Sequence, residues 1–454
     1  MVTEGLSQFI VDTTYDRIPR KAVETAKWGI LDCIGVTLAG SLTPEVSIIE
    51  EYLKETGGIQ VATVVGRRLG TTAPQAALIN GVSAHSLDYD GTNKTWRGHP
   101  SVVLLPLVLA LGEKMGATGK EVILAYIIGF EIGAKISSGI TDHYDFGWHS
   151  TGTIGTMGGA AAASKLLGLD VDKVRATLGM AASMSSGSRQ NFGTMTKPFH
   201  AGMAAHNGIV AALLVKKGYT AATNIIEAPM GFAKLMSGNG EINQEKMTQN
   251  LGNPFDITSA GFAIKPYPCC RFTHRCIDAI LSLIKEYQIK ADQVSKIVCK
   301  TTPAVKDVLI HPRPKSGQEA KFSMQYCMAV ALLDGKIGLE QFVDERVNKP
   351  DVQSIISKVY YDHDGQPASI NEARMVPEEV LVRLQDGTEY RQAITTAKGE
   401  PDNPMKEEEI TAKYRDCASQ VLTSGNQERT LQLILGLESL DKISKLMQLL
   451  RPTD

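Results

Sequence analysis

Through roughly the first 260 residues, apolar positions recur every three or four places with glycine or proline between the runs, the spacing of helices that bury one face. The segments Arg20–Gly40, Ala73–Asp88, Gly119–Ile136 and Asp170–Met184 carry this period most plainly. Gly152–Gly168 (GTIGTMGGAAAASKLLG) is full of Gly, Ala and Ser. Side chains that small let neighbouring backbones approach, so the segment predicts a helix in a tightly buried bundle. Its glycines fall as GxxGxxGG with no strand-like run before them. That meets neither Walker nor Rossmann spacing, and helix packing is the better account.

The period changes after Ala263. A helix over about Arg271–Tyr287 is followed by the alternating VSKIVCKTTPAV, and later EEVLVRLQDGTEYRQAIT gives two alternating runs joined by Asp386-Gly387. Asp-Gly between such runs predicts a hairpin, because both positions tolerate positive φ. From Asn403 (NPMKEEEITAKYRDCASQVL) the pattern is helical again. The expectation is a mainly α fold: a large all-helical domain begun by residues 1–262, a smaller α+β domain at 263–398, and C-terminal helices at 399–454 that rejoin the first.

Composition narrows the class. At 454 residues, and roughly 150 per domain, the chain has room for two or three domains and a large core. Hydrophobic residues make up 43%, charged residues 21%, and the formal net charge is −2. No nucleic-acid or polyanion partner is expected from that balance. The longest apolar run, Ser101–Gly112, is interrupted by Pro106 and closed by Glu113 and Lys114, short of the roughly 18 residues a membrane span needs. The N-terminus lacks the apolar stretch of a signal peptide. Seven scattered cysteines fit free thiols in a reducing cytosol, and the expected location is cytoplasmic. Cys269, Cys270 and Cys276 form no CxxC pair, so neither zinc nor an iron–sulfur cluster is expected.

The polar residues gather at predicted helix entrances. Pro100 suits the first position of a helix, which puts His99 at its N-cap. There the partial positive charge and unpaired N–H groups bias an imidazole toward its neutral form and welcome an anion. Lys197 precedes Pro198, Lys265 precedes Pro266, and His149 stands ahead of a predicted helix. A residue before proline is held toward extended geometry, which fixes where its side chain leaves the chain. If these entrances converge, they form a pocket for a substrate with several carboxylates. Each residue also has a plainer reading. A lone His more often caps or is satisfied in place, and Lys197 and Lys265 could be turn lysines at the surface. Tyr326 lies on an apolar helix where a core tyrosine is the default, and Cys270 could be a small buried hydrophobe. Asp88, Asp90 and His99 could be taken for metal ligands, but no compact HxxxH or HxH pair accompanies them. His85, His143, His200 and His206 are weaker candidates than His99.

Five strings in one order, HSLDYDGTNKTWRGHPS, GWHSTGTIGTMGGAAAASKLLGL, TKPFHAGMAAHNG, KPYPCCRFTHRCIDA and EAKFSMQYCMAVALLDG, give the chain a full-length resemblance to the MmgE/PrpD family. That family includes 2-methylcitrate dehydratases, cis-aconitate decarboxylases and iminodisuccinate epimerase. The resemblance implies that the α+β domain is a lid over an active site between the two domains. It also implies a homodimer, a small polycarboxylate substrate, and catalysis without metal or organic cofactor. Asp88, Thr92, His99, His149, Lys197, Lys265 and Tyr326 fall on the family's site positions. His99 would handle the proton at the reacting carbon, and His149 would assist the leaving hydroxyl or complete carboxylate binding. Asp88 would orient a histidine, Thr92 and Tyr326 would give hydrogen bonds, and Lys197 and Lys265, with Arg97 or Arg271, would hold carboxylates and enediolate-like charge. Cys270 stands where the decarboxylases carry a second lid histidine, His274 matches another, and the Thr92–His99 segment looks one residue longer than theirs. The catalytic set is therefore His99, His149, Asp88, Lys197 and Tyr326, with Thr92, Lys265, Arg271, His274 and Cys270 binding substrate. Dehydration of a 2-methylcitrate-like hydroxy acid is the first expectation. The alternative is cis-aconitate decarboxylation, followed by epimerisation of an imino- or hydroxy-diacid and, outside enzymes, a helical ligand-binding or scaffold protein.

Overall fold

The computed structural model describes residues 1–238, 240–366 and 376–452, and it is mainly α, as the periodicity predicts. Among the described residues, nine helices of eleven residues or more precede the change of texture: α1 Val2–Asp12, α2 Arg20–Gly40, α3 Pro44–Thr56, α4 Ala73–Ser86, α5 Ser101–Met115, α6 Gly119–Ser138, α7 Ser150–Leu166, α8 Val171–Met184 and α9 Thr196–Lys216. Local signals set their ends. Thr118 and Glu121 close a reciprocal capping box on α6, and Gly116 ends α5 in the left-handed conformation, each satisfying groups a helix terminus leaves unpaired.

The small-residue helices pack backbone against backbone. A Cβ on Gly81 of α4 would lie 2.7 Å from the Gly202 Cα of α9, and one on Gly208 of α9 would lie 2.7 Å from the carbonyl carbon of Gly159 in α7. The Gly/Ala/Ser texture of Gly152–Gly168 is thus a packing device, as its spacing predicts. Helix α9 is also long and apolar enough to cross a membrane, and here that apolar length is taken up against α4 and α7. It starts two residues ahead of Pro198, so Lys197 lies in its first turn and is not extended as expected. Proline is tolerated there because the N–H it lacks would have had no partner.

Beyond the junction come α10 His274–Tyr287, β1 Val294–Lys300, α11 Met324–Asp334, β2 Val359–Asp362, β3 Glu378–Leu384 and β4 Glu389–Ile394. The strands form one sheet ordered β2-β1-β3-β4, with β1 parallel to β2 and antiparallel to β3. The hairpin falls at Asp386-Gly387, but only Gly387 has positive φ (+90°). Asp386 instead accepts the Thr388 N–H on its side chain at 2.9 Å. The chain closes with α12 Glu407–Ser419, α13 Ser424–Leu435 and α14 Ser444–Leu449.

Beside two small clusters around Val46 and Val36, two large hydrophobic cores result. One runs from Val2 to Ile264 and takes in Ile410, Tyr414, Leu431, Ile434 and Leu446 from the C-terminal helices. The other runs from Cys269 to Val382 and borrows Phe192. The segment joining them, 263–270, carries Lys265 and Cys270.

Candidate active site

Helix α4 ends at Ser86, and the loop that follows carries the acids. Asp88 sits at φ +50°, a conformation rare outside glycine. Buried anchors hold the loop. Trp96 donates its Nε1–H to the Phe130 carbonyl at 2.8 Å, and Asn93 accepts from the Trp96 N–H at 2.8 Å while donating to the Gly261 carbonyl at 2.7 Å. Thr92 and Ala263 exchange backbone hydrogen bonds at 2.9 Å each. That ladder brings Lys265 beside Asp88.

Asp90 is fully buried and holds two imidazoles: His85 Nδ1 at 2.9 Å and His99 Nδ1 at 2.6 Å. Burial would raise its pKa, but His99 and His85 outweigh this and hold it well below the usual carboxylate range. An ionised carboxylate only accepts, so both rings carry their proton on Nδ1 and keep a lone pair on Nε2. The rings of His85 and His99 lie 4.4 Å apart, and His85 stacks on His149 at 5.8 Å. His149 caps α7, as predicted, and its Nδ1 is 3.1 Å from His200 Nδ1 on the first turns of α9. Burial lowers the pKa of all four, His85 to about 3 and His200 to about 4, with the Lys197 charge adding to the effect. The resting cluster is neutral imidazole. Pro100 takes the N-cap of α5 with helical dihedrals (φ −63°, ψ −42°), so His99 stands one residue further out than the spacing predicts.

Asp88 does not orient a histidine. Its carboxylate bridges two ammonium groups, one oxygen on Lys197 and the other 3.2 Å from Lys265, which also donates to the Asp88 carbonyl at 2.7 Å. Burial opposes ionisation of Asp88, but the two lysines outweigh it and hold its pKa far below normal. Burial likewise opposes the charge on Lys265, and Asp88 and Asp90 raise its pKa above the ordinary value. Lys197 also lies over the rings of Phe192 and Phe322, 5.3 and 4.9 Å from their centroids. The orienting acid is Asp90.

These groups wall a cavity of about 80 Å³, counted as space for the centre of a water molecule. Asp88, Thr92, His99, His149, Lys197, Lys265, Cys270 and Arg271 all line it, together with Arg97, Phe192 and Phe322. The Oγ1 of Thr92 and the Nε2 of His149 are buried with no partner among the described residues, as befits groups waiting for a ligand. Arg271 pairs with Glu400 at 3.0 Å. Burial, then the Asp88 charge, pushes the Cys270 thiol up to about 12, so it lines the wall as a neutral group.

Two expected residues are elsewhere. Tyr326 is fully buried in the second core and donates its hydroxyl to the Gln341 carbonyl. His274 packs edge-on to Tyr267 and bonds the Cys269 carbonyl at 3.2 Å. Helix α10 and helix α11 turn these side chains into their own core. Conversely, His85, Asp90 and His200 belong to the cluster, although residue type and spacing ranked them low. The available signals were the five-residue step from His85 to Asp90 and the three-residue step from Lys197 to His200, which shares a helix face.

His85, Asp88, Asp90 and His99 also bring one ligand atom each within 4.8 Å of one another. Both histidines present protonated Nδ1 to Asp90, and Asp88 is occupied by two ammonium groups. A dication would have to displace that positive charge, so the donor set fits an ion-pair network better than a metal.

A family model described as the MmgE/PrpD N-terminal domain matches residues 4–245, and one described as the MmgE/PrpD C-terminal domain matches residues 267–439. The cis-aconitate decarboxylase of Mus musculus is 30% identical over 99% of this chain and 93% of its own length. That of Homo sapiens is 29% identical over 99% and 94%, and that of Aspergillus terreus 29% over 99% and 96%.

Proposed function

The chain belongs to the MmgE/PrpD family, and on that premise we propose that it is a carboxy-lyase for a small tricarboxylate of the cis-aconitate type. The observation that carries the proposal is the match of 99% of the chain to enzymes of that name. Dehydration of a 2-methylcitrate-like acid, the first expectation from sequence, becomes the second reading. Cys270 favours keeping it, because a thiol stands where the resemblance gives the decarboxylases a lid histidine.

In this reading Lys197 and Lys265 grip substrate carboxylates. Each ammonium group has three donors, and Asp88 cancels only one of the two charges, which leaves the pair cationic at lower cost than two bare lysines. The carbon–carbon bond to the departing carboxylate breaks, carbon dioxide leaves, and the electron pair is delocalised through the adjoining double bond toward a carboxylate held by the lysines. His99 Nε2 delivers the proton that quenches this charge and is reprotonated from solvent. Burial makes its imidazolium a ready donor, and a bound polyanion raises its proton affinity, so substrate loads the acid. Thr92 and His149 hold the substrate by the polar atoms that have no partner among the described residues. The 263–398 unit acts as a lid. We further propose a homodimer in a reducing cytosol, a setting supported by seven free, buried cysteines.

The test is incubation of the purified protein with cis-aconitate, 2-methylcitrate, citrate and an imino-diacid in deuterated water, followed by mass. Loss of carbon dioxide with deuterium in the product supports the proposal. Loss of water, or deuterium gain alone, replaces it with dehydration or epimerisation, and no change in any acid overturns the enzyme reading.

A further inference from the structure

Lys413 lies on α12, in a part of the sequence that carries none of the site residues, and is buried. Its Nζ donates to the Tyr89 carbonyl at 2.7 Å and to the Lys265 carbonyl at 2.9 Å. It also lies 2.6 Å from an oxygen of Asp32 on α2 and 3.7 Å from the centroid of the Tyr89 ring. Tyr89 is the residue between Asp88 and Asp90, and Lys265 is half of the lysine pair. One ammonium group therefore joins the backbone of the acid-bearing loop to the backbone of the lysine-bearing segment.

We propose that Lys413 is a positioning residue for the lyase reaction, a clamp that holds these two backbones in register so that His99 on Asp90, and Lys265 on Asp88, meet the same substrate. This rests on the reading above. The division of labour around the ammonium group supports it. Asp32 faces the third N–H of the ammonium group as an ion pair, while the other two N–H bonds go to the two carbonyls. A neutral amine still has two N–H groups. The clamp is thus separable from the ion pair.

The experiment compares wild type with Asp32→Asn and Asp32→Asn/Lys413→Met, the double variant leaving neither charge buried alone. Melting temperature and circular dichroism report folding, and kcat and KM are read on whichever acid wild type turns over. The Nδ1–H resonances of His85 and His99 in nitrogen-15 histidine-labelled protein report the site without turnover. The double variant is expected to fold, to lose roughly tenfold or more in kcat from misplacement of the reacting groups, and to shift the His99 resonance. Asp32→Asn should stay within about threefold of wild-type kcat, since the two N–H bonds survive. A double variant with wild-type kcat and His99 resonance overturns the clamp, and so does an Asp32→Asn variant as impaired as the double. If the double variant does not fold, Lys413→Gln, whose amide still donates, is read by the same two measures. If wild type turns over no acid, the lyase reading fails and the resonances alone decide the clamp.

Discussion

The two walls of the cavity are built differently. The helical wall lines the cavity with Asp88, His99, His149 and Lys197, and Asp90, His85 and His200 stand behind them, on the ends of α4, α5, α7 and α9 and the loop from Asp88 to Gly98. The opposite wall supplies Lys265, the neutral thiol of Cys270, Arg271 already tied to Glu400, and the ring of Phe322. Behind the helical wall the backbones touch through glycine, and Trp96 and Asn93 pin the loop. Groups that must move a proton need placement to within a fraction of an ångström, which packed helix ends supply better than an irregular connecting segment such as 263–270. On the proposed lyase reading, the contrast assigns proton chemistry to the helical wall, and grip and enclosure to the other.

The strongest way to break that contrast is Asp90→Asn. A carboxylate accepts from two imidazoles at once, whereas an amide offers one acceptor and one donor. One of His85 and His99 must then switch tautomer. The chain is expected to fold, since no volume changes, while kcat falls by a factor on the order of 10²–10⁴. Steady-state turnover measures this. A variant within threefold of wild type would move the proton chemistry away from the helical wall.

The helical wall was also the more legible of the two in sequence, for a physical reason. His99, His149 and Lys197 announce themselves because helix entrances are marked by proline and by the start of a 3.6-residue period. Asp88 and Asp90 stand two apart, and nothing in their spacing says that one takes two lysines and the other two histidines. That division depends on the left-handed turn at Asp88 and on Lys265 arriving through the Thr92–Ala263 ladder. Lys413 was invisible because its bonds go to main-chain carbonyls 148 and 324 residues away. Tyr326 and His274 misled because a motif fixes neighbours along the chain but not which face of α11 or α10 meets the cleft.

Acid should loosen the helical wall before the rest. Burial holds His85 at about 3 and His143 and His200 at about 4, below the 6.5 of an unfolded chain. The native state therefore refuses protons that the unfolded chain accepts, so stability is complete above pH 6.5 and falls as pH drops toward 4. At pH 5 the loss is roughly 2 kcal/mol for each imidazole. Asp88 and Asp90, held low, keep their charge through this window and do not contribute to it. In the sheet-bearing unit the shift runs the other way: burial raises Glu378 above its ordinary value, which favours that unit at low pH. Hydrogen exchange at pH 7 and pH 5 should show protection lost first around residues 85–153. Equal loss in β1 and β3 would erase the contrast.

The smallest expected effect sharpens the comparison most directly. Tyr326→Phe removes only the hydroxyl that donates to the Gln341 carbonyl inside the second core, against Phe342 at 5.7 Å between ring centroids. A buried hydrogen bond of this kind contributes about 1 kcal/mol net, and the ring that fills the space remains. The melting temperature should drop by a few degrees or less, with kcat and KM as in wild type. The family resemblance points the other way, giving this tyrosine a hydrogen bond to substrate, and a tenfold loss of turnover would support it. To reach the cavity the phenol would have to abandon Gln341 and α11 would have to turn out of its core. A large effect would therefore mean that the cover rearranges when substrate binds, and that the second wall takes part in the chemistry after all.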